Sequence, residues 1–276
     1  MPEAAEVKLS ADLISKKLID QNIVNVFCGK SSRYKINRPE GFNLFVNRLC
    51  NSPIKIQDIN TKGKFMYWSF EDDWYMFCTF GMTGQWVYKE DKHTCLGIYF
   101  GKNAYEYKDI YFNDPRHFGT IKFTNNKKDL EDKLNSLGWD PFNGLSEEDF
   151  NFVYEKCQSK KPIGQMLLNQ SIFCGVGNYI RAESLYRAKI SPWRLGIDLS
   201  KDEIKNLCRE ITNIVNEAYR NNGATISTYK TSNGDKGLYS DFFKVYKRRK
   251  DFLGNDIIKE RTPEGRSIYW CPYIQK

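Results

Sequence analysis

The hydrophobic period of the chain changes twice. Over residues 3–19, Val7, Ala11, Ile14 and Leu18 recur at spacings of four and three, which predicts a helix with one buried stripe. Pro2 stands at its start, where a missing N–H costs nothing, and Glu3 and Glu6 fall in the first turn, where the helix dipole favours acids. From about 23 to 124 short aromatic and β-branched runs take over: IVNVF, IKIQDI, KFMYWSF, WYMFCTF, LGIYF, YKDIYF and GTIKF, separated by turn residues. That spacing predicts an antiparallel sandwich or barrel. Helical periodicity returns near 127, with candidate helices over 127–136, 146–157, 162–170, 178–187 and 201–221. The last is the clearest, with Ile204, Leu207, Cys208, Ile211, Ile214, Val215 and Ala218 forming one stripe behind the N-cap candidate Ser200. Gly138, Pro141, Gly144 and Ser146 mark the boundary between the two regimes. A polar SNGDKG stretch precedes a final hairpin-like segment, FKVYKRRK…GRSIYWCP.

Composition narrows the class. A chain of 276 residues with 41% hydrophobic and 15% aromatic residues can build one large or two medium cores, which excludes a disordered tail. No apolar run approaches the roughly 18 residues of a membrane span, and the N-terminus lacks a signal-peptide plan, so no membrane is expected. The 42 Lys+Arg against 34 Asp+Glu leave a net charge of +8, compatible with a polyanionic partner. Eight cysteines are scattered singly with no CxxC pair, which reads as free thiols in a reducing intracellular compartment, nucleus or cytoplasm. The 23 Asn and 23 Ile against 8 Ala point to AT-rich codons.

Three features can carry chemistry. If Met1 is removed, Pro2 becomes a secondary α-amine followed at once by the carboxylic acid of Glu3. An α-amine ionises near ~7.7–8.0 against ~10.4 for lysine, so its neutral fraction near neutrality is about two orders of magnitude larger. Such an amine can attack an electrophilic sugar carbon and form an iminium; read alone, Pro-Glu is also simply a helix start. Cys174-Gly175-Val176-Gly177-Asn178 opens a helix whose first N–H groups make a phosphate site, with Asn178 as cap or phosphate donor; a plain helical hairpin is the alternative. Lys244, Lys247, Arg248, Arg249, Lys250 and Arg266 form a basic C-terminal segment, or else a charged edge that prevents aggregation.

Five motifs occur in order: MPE-x-x-EV, Lys62-Gly63-Lys64-Phe65, Gly81-Met82-Thr83-Gly84, Asp114-Pro115-Arg116-His117-Phe118-Gly119 and Gly175-Val176-Gly177-Asn178-Tyr179-Ile180-Arg181-Ala182-Glu183. Together they resemble the formamidopyrimidine-DNA glycosylase / endonuclease VIII family over nearly the whole chain. The resemblance implies an α+β fold of two domains: an N-terminal antiparallel β-sandwich with an N-terminal helix over 1–135, a linker over 136–146, and a helix-two-turn-helix domain over 147–240. A finger hairpin over 241–276 completes it, with DNA bound between the domains.

It further implies Pro2 as Schiff-base nucleophile, Glu3 as general acid, and Lys64 as a strand lysine that assists elimination and contacts phosphate. Met82, Arg116 and Phe118 would fill the space left by a flipped nucleotide, while His93, Lys161 and Asn178 would contact the DNA backbone. By composition alone Met82 and Phe118 are core candidates, and Lys64, His93 and Lys161 ordinary surface residues. Members of the family usually end in a four-cysteine zinc finger, yet residues 243–276 hold only Cys271 and no histidine. No metal is therefore expected. Arg266 stands where the finger's phosphate-binding arginine would, which resembles the zincless-finger, Nei-like branch. Ala4-Ala5, Thr79 and His117 also depart from the usual pattern.

The implied activity is base-excision repair by a bifunctional DNA glycosylase and AP lyase that removes oxidised pyrimidines and hydantoins. It would act as a monomer, without cofactors, on double-stranded DNA containing oxidised bases or abasic sites. The alternative is a non-catalytic damaged-DNA-binding protein of the same fold. The loop that would face the lesion is expected around 228–239.

Overall fold

The computed structural model describes residues 2–29, 33–101, 109–225 and 236–276, which group into two compact units. The first comprises residues 1–2, 6–135 and 222–237, and the second residues 3–5, 136–221 and 238–276. The predicted lesion-facing loop lies largely outside the described residues.

In the first unit, helix α1 (Ala4–Leu18) leads into eight antiparallel strands: β1 (Asn22–Cys28), β2 (Ile54–Lys62), β3 (Phe65–Phe70), β4 (Tyr75–Thr79), β5 (Gln85–Val87), β6 (Thr94–Phe100), β7 (Asp109–Asn113) and β8 (Thr120–Thr124). Their order is β5-β7-β6-β1-β2-β3-β4-β8. Strand β2 joins the two halves: it pairs with β1 over only Asn22↔Lys55 and Ile23↔Ile54, then shifts register between Ile56 and Asp58 before following β3. The halves fold face to face as a sandwich, since Trp68 on β3 meets Trp86 on β5 at 5.1 Å although many strands separate them in the sheet order. Trp86 in turn meets Phe112 at 5.2 Å. Aromatic burial of this kind contributes several kcal/mol per ring and explains the density of rings in this half.

A second helix, α2 (Phe42–Asn51), interrupts the region read as all strand. It starts at Gly41, where the left-handed φ of 71° already favours glycine. A Cβ there would also lie 2.0 Å from the Phe123 carbonyl oxygen, so no side chain fits. Its Phe45 stacks on Phe123 at 4.6 Å, closing the sheet at that end. Helix α3 (Lys127–Asn135) ends the unit's main run.

The second unit contains α4 (Glu147–Cys157), the single turn α5 (Ile163–Met166), α6 (Asn178–Ala188), α7 (Lys201–Arg220) and a hairpin of β9 (Ile258–Arg261) and β10 (Ser267–Trp270). Capping boxes at Ser146–Asp149 and Ser200–Glu203 set where α4 and α7 begin. The stripe predicted for α7 is buried throughout, against α6. The basic run 244–250 is not a strand: the paired strands here are 258–261 and 267–270, and Lys250 makes a single bridge to Asp256. No helix among the described residues is long and apolar enough to cross a membrane.

Candidate active site and phosphate cleft

Glu3 is 1% exposed, and its carboxylate caps α6 of the second unit. The amides of Gly177, Tyr179 and Ile180 donate to it at 2.8, 3.0 and 3.2 Å. Gly177 is required here because a Cβ would lie 2.2 Å from the Glu3 carboxyl carbon. The helix N-terminus predicted as a phosphate site is thus occupied by this carboxylate. Asn178 is the first residue of the helix rather than its cap, and its side-chain oxygen accepts from Arg181 at 3.4 Å. Three N–H donors at the start of α6 fix the Glu3 carboxylate in place. Pro2, its chain neighbour, is buried.

A second group lies on the sandwich unit. Met82 is 40% and Phe118 55% exposed, so neither is core; the Arg116 guanidinium lies 5.2 Å over the Phe118 ring. Buried Asp114 holds the two loops together, accepting from Thr83 Oγ1 at 2.5 Å, the Gly119 amide at 2.6 Å and the Arg116 amide at 3.3 Å. Left-handed Gly81 lets the Met82 turn approach the Phe118 backbone, since a Cβ there would come 2.5 Å from its carbonyl carbon. Met82, Arg116 and Phe118 are therefore one constellation. Half-buried His93 is tied to it by its backbone, its carbonyl accepting from the Asp114 amide at 3.0 Å. Lys64 is not in a strand: with Gly63 (φ 57°) it makes the two-residue turn between β2 and β3, and it is half-buried.

The third group lines a cavity of about 420 Å³ within the second unit. Lys156, Lys161, Asn169, Arg181 and Arg266 face it, with Glu264 as the acidic member. The cleft brings together Lys161 and Arg266, more than a hundred residues apart in sequence, but Asn178 is not among its lining residues. Four cations on one small concavity suit a phosphate diester.

Sequence reasoning missed several of these groups. Asp114 appeared only as a member of its motif, with no role assigned, and Asn169 carried no periodic or charge signal. Glu6, read only as a first-turn acid, is fully buried in the sandwich unit and accepts the Ala224 amide at 2.8 Å. At the hairpin, Cys271 is buried, its Sγ 3.9 Å from Asp251 Oδ2 and its amide bonded to Gln275. Among the described residues no group of three or more His, Cys, Asp or Glu could hold a metal ion, so these side chains do not fit the zinc of a four-cysteine finger.

Known proteins share this architecture. Residues 1–121 match the formamidopyrimidine-DNA glycosylase N-terminal domain and residues 137–230 the H2TH domain of the same enzyme. Proteins named formamidopyrimidine-DNA glycosylase from Wolbachia pipientis (Culex pipiens strain) and Rickettsia peacockii are 30% and 31% identical, each over 100% of this chain and 100% and 99% of their own length. The crystal structure of the MutM (Fpg) protein of Thermus thermophilus superposes with a TM-score of 0.84 at 25% identity, covering 99% of this chain and 98% of that one. A mutant Lactococcus lactis Fpg in complex with Fapy-dG-containing DNA gives 0.84 and 25% over the full length of both. The sandwich with its N-terminal helix, the helical unit with its hairpin, and these matches over both place the chain in the formamidopyrimidine-DNA glycosylase family of bifunctional glycosylase/AP lyases.

Proposed function

We propose that the protein excises oxidised bases from double-stranded DNA through a Schiff base on Pro2 and then cuts the strand by β,δ-elimination, as a member of the zincless-finger, Nei-like branch. The observation that carries the reading is the buried carboxylate of Glu3, fixed by three amides beside the residue that becomes the terminal amine. Removal of Met1 frees the Pro2 nitrogen. Flipping the damaged nucleotide costs a few kcal/mol of stacking and pairing, which exposed Met82, Arg116 and Phe118 offset by filling the gap. The Pro2 nitrogen attacks C1′ as the bond from C1′ to the base breaks and the base leaves protonated; the proton shed by the Pro2 nitrogen passes to Glu3 and on to O4′ as the C1′–O4′ bond opens, which leaves an iminium between C1′ and Pro2. The resulting iminium acidifies C2′; loss of that proton expels the 3′-phosphate, and a second elimination expels the 5′-phosphate. Lys161 and Arg266 hold the flanking phosphates, and Lys64 and His93 extend the backbone contact.

Two lesion classes compete. A hairpin whose residues cannot ligate zinc supports oxidised pyrimidines and hydantoins, by resemblance to the Nei-like branch. The names of the relatives support formamidopyrimidines. A panel of single-lesion duplexes with one enzyme preparation separates them. The chemistry itself is tested by borohydride trapping on abasic-site DNA. Met1-processed protein should give a covalent adduct, and protein retaining Met1 should give none. Absence of the adduct from processed protein would leave the non-catalytic DNA-binding alternative.

A further inference from the structure

Arg181 is an unusual residue to find at 0% exposure. It sits on α6, one residue past the amides that hold Glu3, yet the hydrogen bonds of its guanidinium run elsewhere. Nη1 donates to the Gly164 carbonyl at 3.0 Å, and Nη2 to the Ser267 carbonyl at 2.7 Å and to Asn178 Oδ1 at 3.4 Å. Gly164 belongs to the wall of the cationic cleft that carries Lys161 and Gln165; Ser267 follows Arg266 directly on the other wall. Gly164 itself has no room for a side chain, because a Cβ would lie 2.8 Å from the Pro192 carbonyl oxygen and 2.9 Å from Ile268 of β10. Above this floor a side-chain bond from Gln165 to Glu264 ties the same two walls.

We propose that Arg181 is a positioning residue for phosphate binding: its buried fork sets the spacing of the two walls and so places Arg266. The inference rests on the reading of the cleft as the DNA-phosphate site. A buried cation bonded mainly to neutral carbonyls is costly, and its Nε is left without a partner. Arg266 adds like-charge repulsion to that cost. A structural tie alone would not require a charge here, and a hydrophobic residue of similar volume would pack more cheaply. Glu3 and Glu264 offset part of the cost of the charge, and a phosphate between the walls adds a further counter-charge. Burial holds the Arg181 guanidinium down to about 10, so it stays cationic at neutral pH.

The test is a double-mutant cycle of Arg181→Met and Arg266→Ala, read as the dissociation constant for a duplex with one tetrahydrofuran abasic analogue. If Arg181 acts through Arg266, Arg181→Met weakens binding about tenfold in the native background but about twofold or less in Arg266→Ala. Arg181→Lys keeps the charge without the planar fork and should fall between. If Arg181→Met does not fold, as judged by its melting curve, Arg181→Lys takes its place in the cycle. Both single variants should also leave more product at the β-elimination stage on preformed abasic DNA. Native-like binding by Arg181→Met, or losses that multiply fully in the double variant, would overturn the assignment. Failure of the native protein to bind or trap abasic DNA would instead overturn the functional reading.

Discussion

Gly177→Ala isolates the placement of Glu3 from its chemistry. The backbone at Gly177 has φ −127° and ψ −157°, an extended conformation open to alanine, so the added methyl conflicts only with what it touches. It would meet the Glu3 carboxyl carbon at 2.2 Å and Oε1 at 2.4 Å. Ordinary contact begins near 3.5 Å, so the carboxylate must retreat by about 1 Å. Bonds of 2.8, 3.0 and 3.2 Å do not survive such a shift together. Hydrogen bonds to a charged group contribute about 1.5–3 kcal/mol each and are not additive, so losing the set should displace the proton acceptor at a cost of about 2–4 kcal/mol. At ~1.4 kcal/mol per decade this slows the chemical step by roughly 30- to 1000-fold. The assay is single-turnover excision and borohydride trapping, with melting temperature as the control. Glu3→Gln should be at least as slow, and the double variant no slower than the worse single one, because both remove the same function. Native single-turnover rates in a folded Gly177→Ala protein would refute the role given to this carboxylate.

Three further expectations follow from the other groups. Met82→Ala should slow excision of a damaged base far more than cleavage of a preformed abasic site, where no base needs to be flipped; equal losses would show that Met82 does not fill the gap. Arg266→Ala should weaken damaged-DNA binding and lower the slope of log affinity against log salt by about one unit, and an unchanged slope would argue against a phosphate contact. The Arg187 guanidinium donates to both oxygens of Glu217 at 2.8 and 2.6 Å and holds its carboxyl below the ordinary 4.5. A carboxyl lower in the folded than in the unfolded state contributes stability above its unfolded value, lost as pH falls through the folded one. Glu217→Gln should thus cost about 1 kcal/mol at neutral pH, about 2–4 °C in Tm, with the gap to native protein closing on acidification below that range. Parallel Tm curves at all pH would contradict it.

The parts legible in the sequence are those fixed by local pattern. The α7 stripe repeats over many turns, so its burial follows from periodicity alone, and seven strand runs announce the sandwich by alternation between turns. Strand β5 is three residues long, too short for alternation to register, and α2 is hidden because Phe42, Phe45 and Leu49 sit in a region already rich in rings. The site is less legible because its partners are distant. Glu3 meets amides 174 to 177 residues away, and Ser267 receives its bond from Arg181, 86 residues earlier. Motif order located Glu3 and Gly177 separately, while the physical reason for the glycine, the carboxylate that fills its Cβ position, exists only in the fold. The same logic reverses the reading of Met82 and Phe118. A hydrophobic residue in a tight turn between strands is assigned to the core by composition, whereas Asp114 ties both turns so that these side chains face outward. Keeping two large apolar groups in water while a carboxylate is buried beneath them inverts the usual partition. That exposure is what the proposed gap-filling role requires, since a gapped base stack would cover both side chains.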